Sequence, residues 1–171
     1  VFDGGGMYLT GSMTVEAHSN TFVANETLVT DSVAQATFTV SSIDFRNNLF
    51  VHGRNGYGVD AGSSEGPTPG VFRYNNSWSN ESGNYTGIAD PTGLDGNVAV
   101  DPRFVELSID RNFENDDLHL QRDSPCAGAG DPETVGPDEP LPVIGAFGVT
   151  TIPDVDEDGD GYAPEGGGDC N

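Results

Sequence analysis

The sequence predicts an all-β fold in which short strands coil around a common axis and stack on one another. Three observations lead to this prediction: a repeat of 28 residues, β-prone runs separated by Gly, Asn and Ser turns, and an Asp-rich segment with the spacing of a calcium loop. No long stretch of the sequence has the apolar periodicity of an amphipathic helix. We therefore expect stacked rungs over residues 1–108, a cap with an extended acidic segment over 109–150, and a calcium-binding loop over 151–171.

The repeat consists of an asparagine followed two residues later by an aromatic residue. Successive copies are 28 residues apart, and the two columns comprise Asn20, Asn48 and Asn76, and Phe22, Phe50 and Trp78. Stacked β-strands lie about 4.8 Å apart, so equivalent side chains of successive rungs lie on top of one another. We predict that the three aromatic rings form one internal column. We also predict that the three asparagines form a ladder of side-chain hydrogen bonds, because amides buried in a stack need partners.

Two features of the sequence together resemble the right-handed parallel β-helix surface proteins of bacteria and archaea. One is an aliphatic residue followed by Asn-Asn-x-Phe, and the other is the glycine-rich turn at residues 4–8. Segments 101–105, 117–120, 124–132 and 144–148 are similar, in order, to the block that ends those helices. The resemblance implies a right-handed parallel β-helix with about three 28-residue rungs and an irregular C-terminal cap. It also implies an extracellular or cell-surface location, with cell-surface polysaccharide or neighbouring surface proteins as partners. It says little about activity, because this scaffold carries both enzymes and adhesins.

The segment 154–165 has the spacing of a calcium loop, with acids at positions 1, 3 and 5, glycine at 6 and a carboxylate at 12. The expected ligands are Asp154, Asp156, Asp158, the main-chain carbonyl of Asp160, and Glu165. Nearby prolines break any flanking helix, so this is an EF-like loop without an EF-hand. The segment resembles thrombospondin type 3 repeats, dockerins and the Asp-rich metal motif of MopE-like surface proteins, which implies calcium as the cofactor. A solvated acidic linker is the alternative.

The composition narrows the classes of function. The chain has 171 residues, and 28 Asp and Glu against 6 Lys and Arg give a formal net charge of -22. This charge argues against nucleic acid and anionic membranes as partners. All the basic residues are arginines, which excludes lysine chemistry, and no apolar run is long enough for a direct membrane span. The chain begins without Met and stops inside a motif, so we expect a piece of a longer protein.

Two residue types offer covalent chemistry. Cys126 and Cys170 are the only cysteines, and two alternatives stay open: one disulfide between them, or thiols that stay free or pair elsewhere. The glycosylation sequon occurs at four asparagines, which are Asn25, Asn75, Asn80 and Asn84. We expect Asn80 and Asn84 to be better acceptors than Asn75, because turn tips face water and ladder positions face neighbouring rungs.

The repeat region contains a few acids and arginines that could form a catalytic site. Asp44 and Asp60, with Arg46 or Arg73 as a base, are the candidates for a lyase or hydrolase site, but they do not align at the repeat spacing. The expected function is therefore an extracellular structural or adhesive protein with a calcium loop and no catalysis in this segment. The alternative is the C-terminal portion of a β-helix polysaccharide lyase or glycoside hydrolase.

Overall fold

The fold is all-β, as predicted. A computed structural model of the protein describes residues 6–26, 34–62, 72–110, 112–134 and 141–149. Within these ranges the chain forms β-strands and two short 3-10 helices, at Phe113–Asn115 and Pro132–Thr134. No helix of the described ranges is long and apolar enough to cross a membrane.

Most of the strands belong to two parallel sheets. The strands are β1 (Met7–His18), β2 (Thr21–Val23), β3 (Ala34–Arg46), β4 (Leu49–Val51), β5 (Tyr57–Asp60), β6 (Phe72–Arg73), β7 (Asn76–Trp78), β8 (Gly83–Thr86), β9 (Phe104–Glu106) and β10 (Asp117–Leu120). The large sheet has the order β1-β3-β5-β8, with β6 paired to the end of β3, and the small sheet has the order β2-β4-β7. Strands β9 and β10 form a separate antiparallel pair.

The first two passes of the chain each add one strand to the large sheet and then one to the small sheet, and the third pass adds β5 and β6 to the large sheet before β7. Two residues connect the sheets in each pass, and the first of them has a left-handed backbone: Ser19 (φ 53°), Asn47 (φ 58°) and Tyr74 (φ 53°). This conformation is uncommon for residues other than glycine, and here it lies where the chain passes from one sheet to the other. Its recurrence at equivalent positions means that each pass turns at the same place.

The spacing of the passes differs from the predicted repeat in one respect. Phe22 pairs with Phe50, 28 residues away, but Phe50 pairs with Ser77, only 27 residues further on. Phe22 and Phe50 stack as predicted, with ring centroids 5.1 Å apart and ring planes 8° apart. The prediction for Trp78 is wrong, because Trp78 pairs with Val51 instead. A shift of one residue moves a side chain to the opposite face of a strand.

Each face of the small sheet packs against a different hydrophobic cluster. The inner cluster contains side chains from both parallel sheets and comprises Ala17, Ala36, Phe38, Ile43, Phe45, Phe50, Val59, Ala61 and Phe72. The outer cluster comprises Val23, Leu49, Val51, Phe104, Leu120, Cys126 and Ile144, with Trp78 packed against it. The later part of the chain therefore covers the outer face of the small sheet. Gly145 permits the close approach, because a Cβ there would lie 2.6 Å from Leu49 Cδ1.

An asparagine ladder runs through the two-residue connections. Asn20 Nδ2 donates to Asn48 Oδ1 at 2.9 Å, and Asn48 Nδ2 donates to Asn75 Oδ1 at 2.9 Å. Asn75 Nδ2 in turn donates to Asn97 Oδ1 at 3.2 Å. The ladder thus joins Asn20 and Asn48 as expected, but its third member is Asn75. The prediction that Asn76 is the third member is wrong, because the spacing of the third pass is one residue shorter than 28. Asn76 instead lies in β7, and its Nδ2 donates to Val100 O at 2.8 Å.

The ladder makes a prediction about stability. Replacing Asn48 by Ala leaves the buried Ala17 carbonyl and the Asn75 amide oxygen without their Asn48 Nδ2 donor. We expect Asn48→Ala to lower the free energy of unfolding by roughly 2–4 kcal/mol, because each unsatisfied buried polar group costs about 1–3 kcal/mol. Urea denaturation measures this loss. The control is Asn20→Ala at the partly exposed end of the ladder, and an equal loss in both variants would contradict the ladder.

Candidate functional site

Two arginines lie side by side where strands of the large sheet end. Arg46 ends β3, Arg73 ends β6, and the two residues pair directly in the parallel register. The residues before them, Phe45 and Phe72, are buried in the inner cluster, so the arginines project from the other face of the sheet. The expectation that these arginines do not align between rungs is wrong, because Arg46 and Arg73 pair at a spacing of 27 residues, one fewer than the predicted repeat.

A buried carboxylate lies between the two guanidinium groups. Asp131 Oδ2 is 3.1 Å from Arg73 Nε and 3.5 Å from Arg46 Nη1, and the Asp131 side chain is 1% exposed. The Asp131 backbone N–H donates to Asn47 Oδ1 at 2.7 Å. We call Arg46, Arg73 and Asp131 the arginine clasp. It attaches the 3-10 helix at 132–134 to the place where the passes turn.

Further charges surround the clasp. Asp44 accepts a hydrogen bond from Arg46 Nε at 2.9 Å, and Glu133 accepts one from Arg73 Nη2 at 2.9 Å. His18 Nε2 lies 3.5 Å from Asp44 Oδ1. The hydrogen bond from Arg46 lowers the pKa of Asp44, and the same bond raises the pKa of Arg46. Two guanidinium groups therefore face three carboxylates, and each guanidinium has a carboxylate partner.

This arrangement has a structural consequence and a chemical one. A general base must be unprotonated before it can accept a proton, but the hydrogen bond to Asp44 stabilises the protonated form of Arg46. Arg73 is committed to Asp131 and Glu133. Both guanidinium groups are thus paired with carboxylates, and the clasp fixes the C-terminal segment on the sheet.

Asp60 does not join this cluster. It pairs in register with Thr37 of β3, seven positions before Asp44, and its Oδ1 accepts a hydrogen bond from the Gly62 backbone N–H at 2.8 Å. Asp60 and Asp44 therefore do not form a pair of acids for hydrolysis, which needs two carboxyl groups about 5–9.5 Å apart.

The predicted metal site lies elsewhere in the chain. The calcium-ligand candidates, which are Asp154, Asp156, Asp158, Asp160 and Glu165, fall outside the described residues. Among the residues that are described, no three His, Cys, Asp or Glu side chains are grouped so that they could hold a metal ion. The calcium loop stays a prediction.

Cys126 is enclosed in the outer cluster. Its side chain is fully buried, and Asn76 Nδ2 lies 3.2 Å from its Sγ. Burial raises the pKa of the Cys126 thiol to about 11, so the thiol is protonated at neutral pH. Cys170 falls outside the described residues, so both alternatives for the two cysteines stay open.

The sequons differ in their surroundings. Asn75 is fully buried in the ladder, and Asn80 is 8% exposed. Asn80 Nδ2 donates to Phe50 O at 2.9 Å and to Ser77 Oγ at 3.2 Å. The expectation that Asn80 faces water is therefore wrong. Asn25 and Asn84 are both partly exposed.

No protein-family model matches the chain, and no curated protein or solved structure matches it. The function is therefore argued from the chain's own residues.

The clasp predicts that removing Asp131 destabilises the protein much more than removing an exposed acidic residue does. We expect Asp131→Ala to lower the free energy of unfolding by roughly 2–4 kcal/mol, because it leaves two guanidinium groups without their shared buried partner. The matched control is Asp123→Ala, which removes an exposed partner of Arg103 and should cost less than about 1 kcal/mol. Thermal and urea unfolding of both variants measure the difference. Equal losses would show that Asp131 does not hold the segment.

The Asp44–Arg46 pair predicts a dependence on pH. The pKa of Asp44 is lowered in the folded protein, so its stabilising contribution is present above the unfolded value near 3.9 and is lost as pH falls through the folded pKa. We expect Asp44→Asn to be less stable than the parent at about pH 6 and to approach it in stability in strong acid. Urea unfolding across this range checks the trend. In an Arg46→Gln background the pH dependence of the Asp44→Asn difference should shrink, and its persistence would contradict the assigned cause.

Proposed function

We propose that the chain is part of an extracellular or cell-surface protein with a structural or adhesive role. In this proposal its first part is a right-handed parallel β-helix, and its end is a calcium-binding loop. The observation that carries the non-catalytic role is the arginine clasp. Both aligned arginines of the sheet bind Asp131, and they hold the C-terminal segment in place.

The register of the passes supports the β-helix. Both sheets are parallel, and the successive passes of the chain contribute strands to each of them. Stacking of this kind suits a rigid, extended surface module. The asparagine ladder adds support, because it repeats the same side-chain contact from pass to pass.

The negative charge of the chain supports the proposal that the protein binds calcium. A formal net charge of -22 creates repulsion within the chain, which bound divalent cations reduce. Calcium also links carboxylates on separate molecules, so acidic cell-surface polysaccharides or neighbouring surface proteins are the proposed partners. An acidic chain binds such partners poorly without the cation.

The loop at 154–165 is the proposed calcium site. Its ligands are Asp154, Asp156, Asp158, the Asp160 carbonyl and Glu165. Calcium takes six to eight oxygen ligands at about 2.3–2.6 Å, and alternate acids in a turning loop can supply them. Without the ion these carboxylates repel one another, so binding and ordering of the loop are one event.

Titration calorimetry tests the calcium site. Calcium added to chelator-treated protein should bind with a dissociation constant of millimolar or tighter, and Asp156→Ala and Glu165→Ala should each weaken binding at least about tenfold. Affinity should fall as pH approaches about 4, because the ligands must be ionised. Asp123→Ala, outside the loop, is the matched control. Unchanged binding in both loop variants, or none at millimolar calcium, would overturn the site.

A second experiment separates adhesion from catalysis. Co-sedimentation with insoluble acidic polysaccharide should show retention with calcium and release by chelator. The same mixture is assayed for new reducing ends and for the absorbance of unsaturated products. Retention without products supports the proposal. Turnover that is lost in Arg46→Gln or Arg73→Gln would favour a polysaccharide lyase or hydrolase instead.

A further inference from the structure

The environments of the sequons differ in a way that selects one of them. Attachment of an N-linked glycan replaces one hydrogen of the asparagine Nδ2 and requires open space beside that nitrogen. The relevant question for each sequon is therefore what its Nδ2 contacts in the folded chain. An amide nitrogen that donates to buried acceptors cannot carry a sugar without breaking those hydrogen bonds.

Two sequons fail this requirement. Asn75 Nδ2 is buried and donates to Phe45 O at 2.9 Å and to the next ladder residue, Asn97, at 3.2 Å. Asn80 Nδ2 is buried and donates to Phe50 O at 2.9 Å. A glycan on either nitrogen would have to pass through the interior of the stack.

Asn25 is constrained by a second amide network. Its Nδ2 donates to Gln35 Oε1 at 3.1 Å, and Gln35 Nε2 donates to Asn80 Oδ1 at 2.8 Å. Gln35 is 1% exposed, so this contact positions a buried side chain. The Asn25 nitrogen therefore points towards the stack.

Asn84 differs from the other sequon asparagines in what its amide nitrogen contacts. It lies in β8, which is the last strand in the order of the large sheet, and it is partly exposed. Its Oδ1 accepts the hydrogen bond from Asn80 Nδ2 at 3.2 Å, which turns its own Nδ2 away from Asn80. Within the described part of the chain, Asn84 Nδ2 donates to no acceptor. Thr86, which completes the sequon, is also partly exposed.

We propose that Asn84 is an N-glycosylation site and that its substrate is a glycosyl diphosphate carried on a lipid. The Asn84 nitrogen forms a bond to the anomeric carbon, the bond from that carbon to the diphosphate oxygen breaks, and a base of the transferase takes the amide proton. The lipid diphosphate leaves with the bonding electron pair, so no oxidant or reductant is needed. This inference rests on the proposed extracellular location, because such transferases act on exported chains.

The hydrogen bonds around Asn84 explain why a glycan there is compatible with folding, whereas a glycan at Asn75 or Asn80 is not. Chains modified on Asn75 or Asn80 lose buried hydrogen bonds and fold poorly, whereas a glycan on Asn84 leaves the bond between its Oδ1 and Asn80 intact. Modification at Asn84 is therefore compatible with the folded stack.

Site mapping after secretion tests this assignment. The chain is secreted from a eukaryotic host, the folded monodisperse fraction is isolated, and glycans are removed enzymatically in heavy-oxygen water before peptide mass spectrometry. We expect Asn84 to be the occupied residue among the sequons at 75, 80 and 84. Occupancy of Asn75 or Asn80 in the folded fraction, or an unoccupied Asn84, would overturn the proposal.

Matched variants make the result specific. Thr86→Ala should abolish the modification, Thr86→Ser should restore it, and Ser82→Ala, which removes only the sequon of Asn80, should leave the glycan mass unchanged. A mass loss in Ser82→Ala equal to that in Thr86→Ala would also overturn the assignment. Because the host exports the chain, absence of a glycan at Asn84 would overturn the site assignment and not the proposed function. The proposed function is tested separately by calcium binding.

Discussion

The asparagine ladder is the contact on which the rest of the structure depends. Each ladder oxygen accepts two hydrogen bonds from the preceding asparagine: Asn48 Oδ1 from Asn20, and Asn75 Oδ1 from Asn48. The ladder nitrogens also donate to carbonyls of the preceding pass, such as Ala17 O. Because buried amides must find partners, any other register of the connections would leave several polar groups unsatisfied. The ladder therefore sets the register of both parallel sheets.

The other features follow from that register. It stacks Phe22 on Phe50, and it brings Arg46 beside Arg73 on the other face of the large sheet. The paired guanidinium groups bind the carboxylate of Asp131, and this contact attaches the C-terminal segment to the connections between the sheets. That segment covers the outer face of the small sheet, so a strand such as β4 is buried on both faces. Local hydrogen bonding thus leads, step by step, to the packing of distant parts of the chain.

The sequence was sufficient for the all-β class, for the first two ladder positions and for the Phe22–Phe50 stack. It misled at the third pass, because an Asn-Asn pair satisfies both a 27- and a 28-residue spacing, and the aromatic Trp78 favoured the longer one. The better signal was Phe-Arg-x-Asn, which occurs at 45–48 and again at 72–75. Asp131 carried no such signal, since its contact with Asn47 spans 84 residues. Only the folded chain brings them together.

Hydrogen exchange of asparagine side chains, followed by NMR, tests the central claim most directly. The account predicts that the side-chain amide protons of Asn48, Asn75 and Asn97 are strongly protected and exchange only when the protein unfolds globally, because each donates to buried acceptors. The side-chain amide of Asn84, whose nitrogen donates to no acceptor in the described part of the chain, should exchange rapidly in the same sample. Exchange of the Asn48 and Asn75 side chains as fast as that of Asn84 would contradict a ladder that holds the stack together.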